Sequence, residues 1–218
     1  MSLDREKVTR AALGLLNEVG LDGLTVRKLG ASLDVQAAAL YWHFKNKKEM
    51  LDEMATLALT DAVRDFGLPK QDEPWEEWSL RYGRSLRQTF LRYRDGAKMI
   101  SGAYMTDPAL YEAIEASLRL FQNQGFPLPE AAQALNTLYC FVVGFTIEEQ
   151  AVFQRNGERK DRYDLDNQAA RIDPDNSPSA RAAGQLTLAD FNERFDRAMR
   201  IVISGIQQQS ALQSKPHD

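Results

Sequence analysis

The residue types that carry most enzyme chemistry are scarce in this chain and poorly placed for it. There are two histidines, His43 and His217, and one cysteine, Cys140, in 218 residues. His43 lies in a basic stretch and His217 in a polar tail. No nucleophile–histidine pairing and no cluster with metal-ligand spacing can be placed. A single cysteine also excludes an internal disulfide, and Cys140, set in an apolar run, reads as a small buried hydrophobe. Glu148 and Glu149 have acid–base chemistry, but adjacent residues on a helix point apart. No glycine-rich loop able to cradle phosphate is present. No catalytic residue, metal or other cofactor is expected.

What the chain does concentrate is positive charge beside aromatic rings. Residues 24–48 hold five basic groups (Arg27, Lys28, Lys45, Lys47, Lys48) and one acid, Asp34. The first fifty residues carry eight basic and six acidic groups, and the remainder 19 and 25, for a net charge of −4. A locally basic segment on an acidic body suits an anionic partner and excludes a bulk polycation. An apolar content of 44% with 27% charged residues predicts a sizeable folded core. No apolar run approaches 18 residues and no leader-like N-terminus is seen, so the expectation is a cytoplasmic protein without a membrane partner.

The elements that would position these residues all read as helices, and the class is all-α. Val8, Ala12, Leu15, Leu16 and Val19 share one helical face, which Gly20 stops. Thr25 caps a short helix over 26–32. Asp34-Val35 turns into another over 36–43, and a longer helix follows over about 47–65. That succession is the helix-turn-helix pattern. Its third helix would present Gln36, Ala37, Ala38, Ala39, Tyr41, Trp42 and His43, while Leu40 and Phe44 face inward. Taken singly, Tyr41 and Trp42 read equally well as core aromatics, and the lysines as a solvated face. Together, outward aromatics beside Arg27, Lys28 and Lys47 suit the major groove and its phosphates.

Beyond the proline-containing linker 67–74, helices are predicted over 75–93, 95–101, from Thr106-Asp107-Pro108 to about 123, over 129–154, and from about 188, capped by Thr187 with Asp190 at its third position. From Leu138 to Ile147 the chain is apolar nearly all round, so that helix must be covered on every side by core or by a partner. Residues 155–186 read as a long variable loop.

The segment TVRKLGASLDVQAAALYWHFKNKKEMLD, and within it LYWHFKNK at 40–47, resembles the helix-turn-helix of tetracycline-repressor (TetR) family regulators. LLNEVGLDGLTVRKL, RDGAK at 94–98, NQGF at 123–126 and GFTIEEQ at 144–150 extend the resemblance through both parts of the chain. It implies a DNA-binding head over 1–46, a connecting helix over 47–66, and a ligand-binding and dimerisation part over 67–218. It implies a homodimer paired through 129–154 and 188–207 on a palindromic double-stranded operator, released by a small-molecule effector. Repression is the family default, and activation is the alternative. The DNA-contacting set is then Thr25, Arg27, Lys28, Gln36, Ala37, Ala38, Ala39, Tyr41, Trp42, His43 and Lys47. Arg27 matches a guanine-reading arginine, and Tyr41, Trp42 and Lys47 match backbone-contacting positions. The three alanines offer only methyl contacts, so the operator should be the chain's own.

The same resemblance carries over a ligand site. Where tetracycline-binding members hold drug-bound magnesium with a histidine, a threonine and a glutamate, this chain has Ile100, Ala103 and Glu148. Val63 and Tyr82 replace a histidine and an asparagine, Leu86 a phenylalanine and Ser117 a glutamine. With Tyr104, Met105 and Asn136 these residues predict a largely apolar pocket for an apolar or aromatic effector. Ile100 offers a metal no lone pair, so magnesium-tetracycline is the less favoured alternative.

Overall fold

The computed structural model describes residues 4–153 and 157–213. Among these residues the chain forms helices and no strand, apart from one bridge between Phe153 and Arg159. Helix α1 (Arg5–Gly23) is capped by Asp4, whose carboxylate accepts the Lys7 N–H at 2.8 Å. Val8, Ala12, Leu15 and Leu16 are buried on its inner face, as their spacing predicts. Gly20, at φ +71°, interrupts the helix, and one further turn leads to Gly23.

Helices α2 (Val26–Ser32) and α3 (Ala37–Leu40) cross at Gly30. A Cβ there would lie 2.8 Å from the Val35 carbonyl oxygen and 3.2 Å from the Ala37 nitrogen, so only glycine lets the two backbones approach. Asp34 makes the turn at φ +54°. The α3 helix is shorter than the predicted 36–43. After Leu40 the chain tightens, with Tyr41 N–H bonded to the Ala38 carbonyl and His43 N–H to the Leu40 carbonyl, both three residues back.

Helix α4 (Lys47–Phe66) starts on Asn46, which accepts the Glu49 N–H at 2.9 Å, while Glu49 accepts the Lys45 N–H at 2.8 Å. Arg5 reaches Glu49 and Glu53 at 3.0 and 2.6 Å, and Arg10 reaches Asp61 at 2.9 Å. Each pair is solvent-exposed and contributes little energy alone. Together they tie α1 along α4.

The rest is built from α5 (Trp75–Leu91), α6 (Gly96–Ile100), α7 (Pro108–Asn123), α8 (Leu128–Val152) and α11 (Phe191–Gln213). Trp78, Phe90, Phe121, Leu138, Val142, Phe195 and Met199 form the core between α5, α7, α8 and α11. One ion pair lies inside it: Arg87 donates to Glu149 at 2.7 and 2.5 Å and to Asn192 at 2.9 Å, with the Phe195 ring 5.0 Å from the guanidinium.

Three expectations are corrected. The described part of 155–186 is not a loop: a 3-10 turn (Asp161–Tyr163), α9 (Leu165–Ala170) and α10 (Pro178–Leu188) occupy it. Asp164 caps α9 and Pro178 opens α10, but only Ala169 is buried, so no apolar periodicity marked them. Asp190, not Thr187, caps α11, accepting the N–H groups of Asn192 and Glu193 at 2.8 and 3.0 Å. The Thr187 hydroxyl bonds back to Gly184 inside α10. Cys140 is exposed rather than buried. It lies with Asn136, Gly144 and Glu148 on a face of α8 that no other described element covers.

Candidate functional site

Two regions could carry function, and a short corner of chain joins them. The first is the surface of α2, α3 and the turn after α3. Thr25 caps α2 by accepting the Lys28 N–H at 3.2 Å. Arg27 and Lys28 follow, exposed, with no ion pair among the described residues. Gln36, Ala38 and Ala39 are exposed and Ala37 is half-buried. Leu40 and Phe44 are buried beneath Tyr41 and Trp42, which are 55% and 91% exposed. An indole so exposed contributes almost nothing to the core, and with Tyr41 it forms an aromatic surface open to a partner outside the chain. His43 is half-buried, its ring centre 6.4 Å from that of Phe44. Lys47 is less free than its neighbours. Its ammonium donates to the Leu21 carbonyl at 3.0 Å, leaving two protons for a phosphate.

The corner is RDGAK, residues 94–98. Asp95 accepts the Leu21 N–H at 2.9 Å, the Arg94 N–H donates to Asn17 at 2.8 Å, and the Arg94 guanidinium donates to the Glu18 carbonyl at 3.0 Å. The peptide groups on either side of Leu21 are thus held by Asp95 at the nitrogen and by Lys47 at the oxygen. Gly96 must be glycine, because a Cβ would fall 2.1 Å from the Phe90 oxygen. The corner is pinned from behind by Gln150 of α8. Its amide accepts the Ala97 N–H at 3.1 Å and donates to the Phe90 and Tyr93 carbonyls at 3.1 and 2.8 Å. Nothing in residue type alone singled out Gln150; only its place at the end of GFTIEEQ hinted at it.

The second region is a cavity of about 520 Å³ among α4, α5, α7, α8 and the residues after α6. Val63, Tyr82, Leu86, Ile100, Ala103, Met105, Ser117 and Asn136 line it, as do Trp78, Phe66 and Tyr139, which the sequence reading did not include. Tyr104 and Glu148 do not. Residues 103–106 lie outside any helix; Ala103 and Met105 are half-buried against the cavity, whereas Tyr104 is 70% exposed. Glu148 is exposed on the uncovered face of α8. The buried acid beside it is Glu149, which is committed to Arg87.

No lining residue is Asp, Glu, Lys, Arg or His. Ile100, the last residue of α6, is almost fully buried and presents only hydrocarbon to the cavity. Tyr82 stacks on Trp78 with ring centres 4.9 Å apart and planes 11° from parallel. Burial pushes the Tyr82 hydroxyl well above the ordinary tyrosine range, and the Tyr139 hydroxyl rises for the same reason. Both phenols therefore stay protonated at any physiological pH.

Known proteins match this arrangement along nearly its whole length. Residues 8–54 match the domain described as bacterial regulatory proteins, tetR family, and residues 68–210 match the tetracyclin repressor-like C-terminal domain. The class A tetracycline repressor protein from transposon 1721 of Escherichia coli is 38% identical over 94% of this chain and 90% of its own length. A possible TetR family transcriptional regulator from Streptomyces coelicolor superposes with a TM-score of 0.82 at 32% identity, covering 94% of this chain and 99% of the other. TetR-Q116A from Acinetobacter baumannii in complex with minocycline gives 0.74 at 32% identity, covering 96% and 99%. From its DNA-facing head to its last helix, the chain belongs to the tetR family of bacterial regulatory proteins.

Proposed function

We propose that the protein is a ligand-responsive transcriptional repressor. As a homodimer it binds a palindromic operator through α2, α3 and Tyr41–Trp42, and an uncharged apolar or aromatic effector in the cavity releases it. Residues 1–46 are the DNA-binding part, 47–66 the connecting helix and 67–218 the ligand-binding and dimerisation part. The protein works in the cytoplasm, where its operator and its effector meet.

One observation carries the reading: α6 faces the cavity with Ile100 and grips the head with Asp95. Four residues separate Asp95, at the cap of α6, from Ile100 at its end, on a short helix that cannot stretch. A ligand that moves Ile100 therefore moves Asp95, and with it Leu21 and the end of α1. Helix α4 lines the same cavity through Val63 and holds the same Leu21 through Lys47. The spacing of the two recognition elements in a dimer, about one DNA turn or roughly 34–36 Å, then depends on occupancy. Release follows only to the extent that ligand binds the DNA-incompetent spacing more tightly.

The dimer reading rests on the uncovered faces of α8 and α11. Gly144 and Gly205 have open space where a Cβ would stand, and Ile201 is 68% exposed. Glu148 lies on the same side of α8 and would meet the partner subunit rather than this chain's own cavity.

The test is operator selection from random duplexes, followed by fluorescence anisotropy across a salt series. A palindromic site bound by two chains, with affinity falling steeply in salt, is expected. Binding that ignores salt, or no selected sequence, would overturn the assignment.

A further inference from the structure

At one place the wall of the cavity is a single layer of side chains. A groove of about 620 Å³ lies on the surface between the end of α4 and α5, and Ala62, Phe66 and Ser85 line both the groove and the cavity. Ala62 and Ser85 are small, so the half-buried ring of Phe66 is the main barrier between the two spaces. Phe66 is the last residue of α4, and Gly67, Leu68 and Pro69 after it line the cavity as well. The chain turns at Gly67, at φ +75°, with open space where a Cβ would stand. The last turn of α4 therefore has room to move, and the groove gives the ring a place to go.

The ring is held from both sides. Trp78 and Tyr82, which line the cavity, meet it edge-on at 6.5 and 6.4 Å between ring centres. The Arg81 guanidinium lies over it, 4.1 Å from the ring centre, an attractive placement for a cation. That guanidinium is itself fixed. Its Nε and Nη2 donate to the Glu73 carboxylate at 2.8 and 2.7 Å, and its Nη1 donates to the Phe66 carbonyl at 3.2 Å. The Glu73 side chain is only 9% exposed, which sets this pair apart from the loose pairs of the surface. The bond from Arg81 holds the Glu73 carboxyl below the usual carboxylate range, so both partners are charged at physiological pH. Capping the end of α4 would need only the bond to the carbonyl. The cation over the ring of that same residue, and its fork on a nearly buried carboxylate, fix the ring as well.

We propose that Phe66 is a door between the groove and the cavity, and that Arg81, held by Glu73, is its latch. The door rests on the cavity being the effector site and adds a route to it: an uncharged effector passes through the groove when the ring swings out, and the latch closes behind it. Neither Arg81 nor Glu73 lines the cavity, so the latch governs how fast the effector enters and leaves rather than how tightly it is held.

Prodan, an uncharged naphthalene dye that brightens in apolar surroundings, is the probe, mixed with the full-length protein in stopped-flow fluorescence. Ala113→Phe, which fills the cavity, should abolish its binding. Glu73→Gln and Arg81→Met should each raise the rate constants of entry and exit together, by about three- to tenfold, with Kd within about twofold of wild type. A plug should do the reverse. Gln88 is exposed in the groove and lies outside the cavity lining. Gln88→Cys, modified with a bulky maleimide in a Cys140→Ser background, should slow both rates. The plug leaves the latch intact, so it tests the route independently of any loss of stability that melting reveals in the latch variants. Wild-type rates in the plugged protein, or in both latch variants, overturn the door and leave the cavity reading intact. A Kd that shifts while the entry rate stays constant does the same, since it shows a purely structural pair. Dye binding that survives Ala113→Phe, or no dye binding by wild type, overturns the cavity reading and the door with it.

Discussion

Arg27 stands in the first turn of α2, exposed and without an ion pair among the described residues, so its fork of donors is available to a guanine edge. Arg27→Ala should lower operator affinity by about 1–3 kcal/mol and relax the preference at one base pair, measured by anisotropy on the selected site and its single-base variants. Gly30 acts through backbone contact instead. A methyl group placed 2.8 Å from the Val35 oxygen must push α2 and α3 apart, and no flexible side chain is there to yield. Gly30→Ala should cost about 1–3 kcal/mol in denaturant unfolding and remove DNA binding. Ile100 sets the third expectation at this scale. The position offers magnesium no ligand, and even an outer-shell partner is worth about 10–100-fold in metal affinity. Titration with tetracycline and magnesium, followed by drug fluorescence, should show no nanomolar, magnesium-dependent binding.

The buried Arg87–Glu149 pair joins α5 to α8, and Asn192 extends it to α11. Glu149→Ala would strand a guanidinium among Phe145, Phe195 and Asn192. It should cost about 3–5 kcal/mol, seen as a lower denaturation midpoint. Which elements were legible in the sequence follows from the same physics. Helices that bury a stripe announced themselves: the spacing of Val8, Ala12, Leu15 and Leu16, the cap at Thr25 and the stop at Gly20 all read correctly. The positions Val63, Tyr82, Leu86, Ile100, Ala103, Met105, Ser117 and Asn136 came from the resemblance rather than from helical register, and they lie around one cavity. Helices α9 and α10 bury almost nothing, so no periodicity marked them, and their short, polar, proline-containing sequence imitates a loop. Tyr104 came with the resemblance, and in a segment without regular structure its neighbours Ala103 and Met105 face the cavity while it faces solvent. Glu148 came from the resemblance, and within this chain it lies on the exposed face of α8, outside the cavity lining. Gln150 escaped altogether, since a polar residue near a helix end is ordinary until its three backbone partners are seen.

At the scale of the molecule, half of α8 explains itself within one chain and half does not. Leu138, Val142 and Thr146 are buried, whereas Cys140, Gly144 and Glu148 are exposed, as is Ile201 of α11. The run from Leu138 to Ile147 is apolar all round: one side packs on this chain, and in the proposed homodimer the other meets a second copy. Ile201 sits outside the single-chain core, so its replacement tests association without damaging the fold. Ile201→Asp would set an unpaired charge in the proposed interface. Sedimentation should show a folded monomer with an unchanged helical spectrum and greatly weakened operator binding. A stable dimer carrying this change would exclude α11 from the interface.

The Leu21 amide, fastened to Asp95, offers a clock at a single atom. Its proton leaves for deuterated water only when the Asp95 bond opens. In the free protein it should exchange more slowly than the amides of exposed Asp22 and its neighbours. If occupancy of the cavity draws α6 away from the head, that one proton should exchange faster, while amides in the core of α5 and α8 keep their rates. The coupling between ligand and DNA would then be readable without any DNA in the tube.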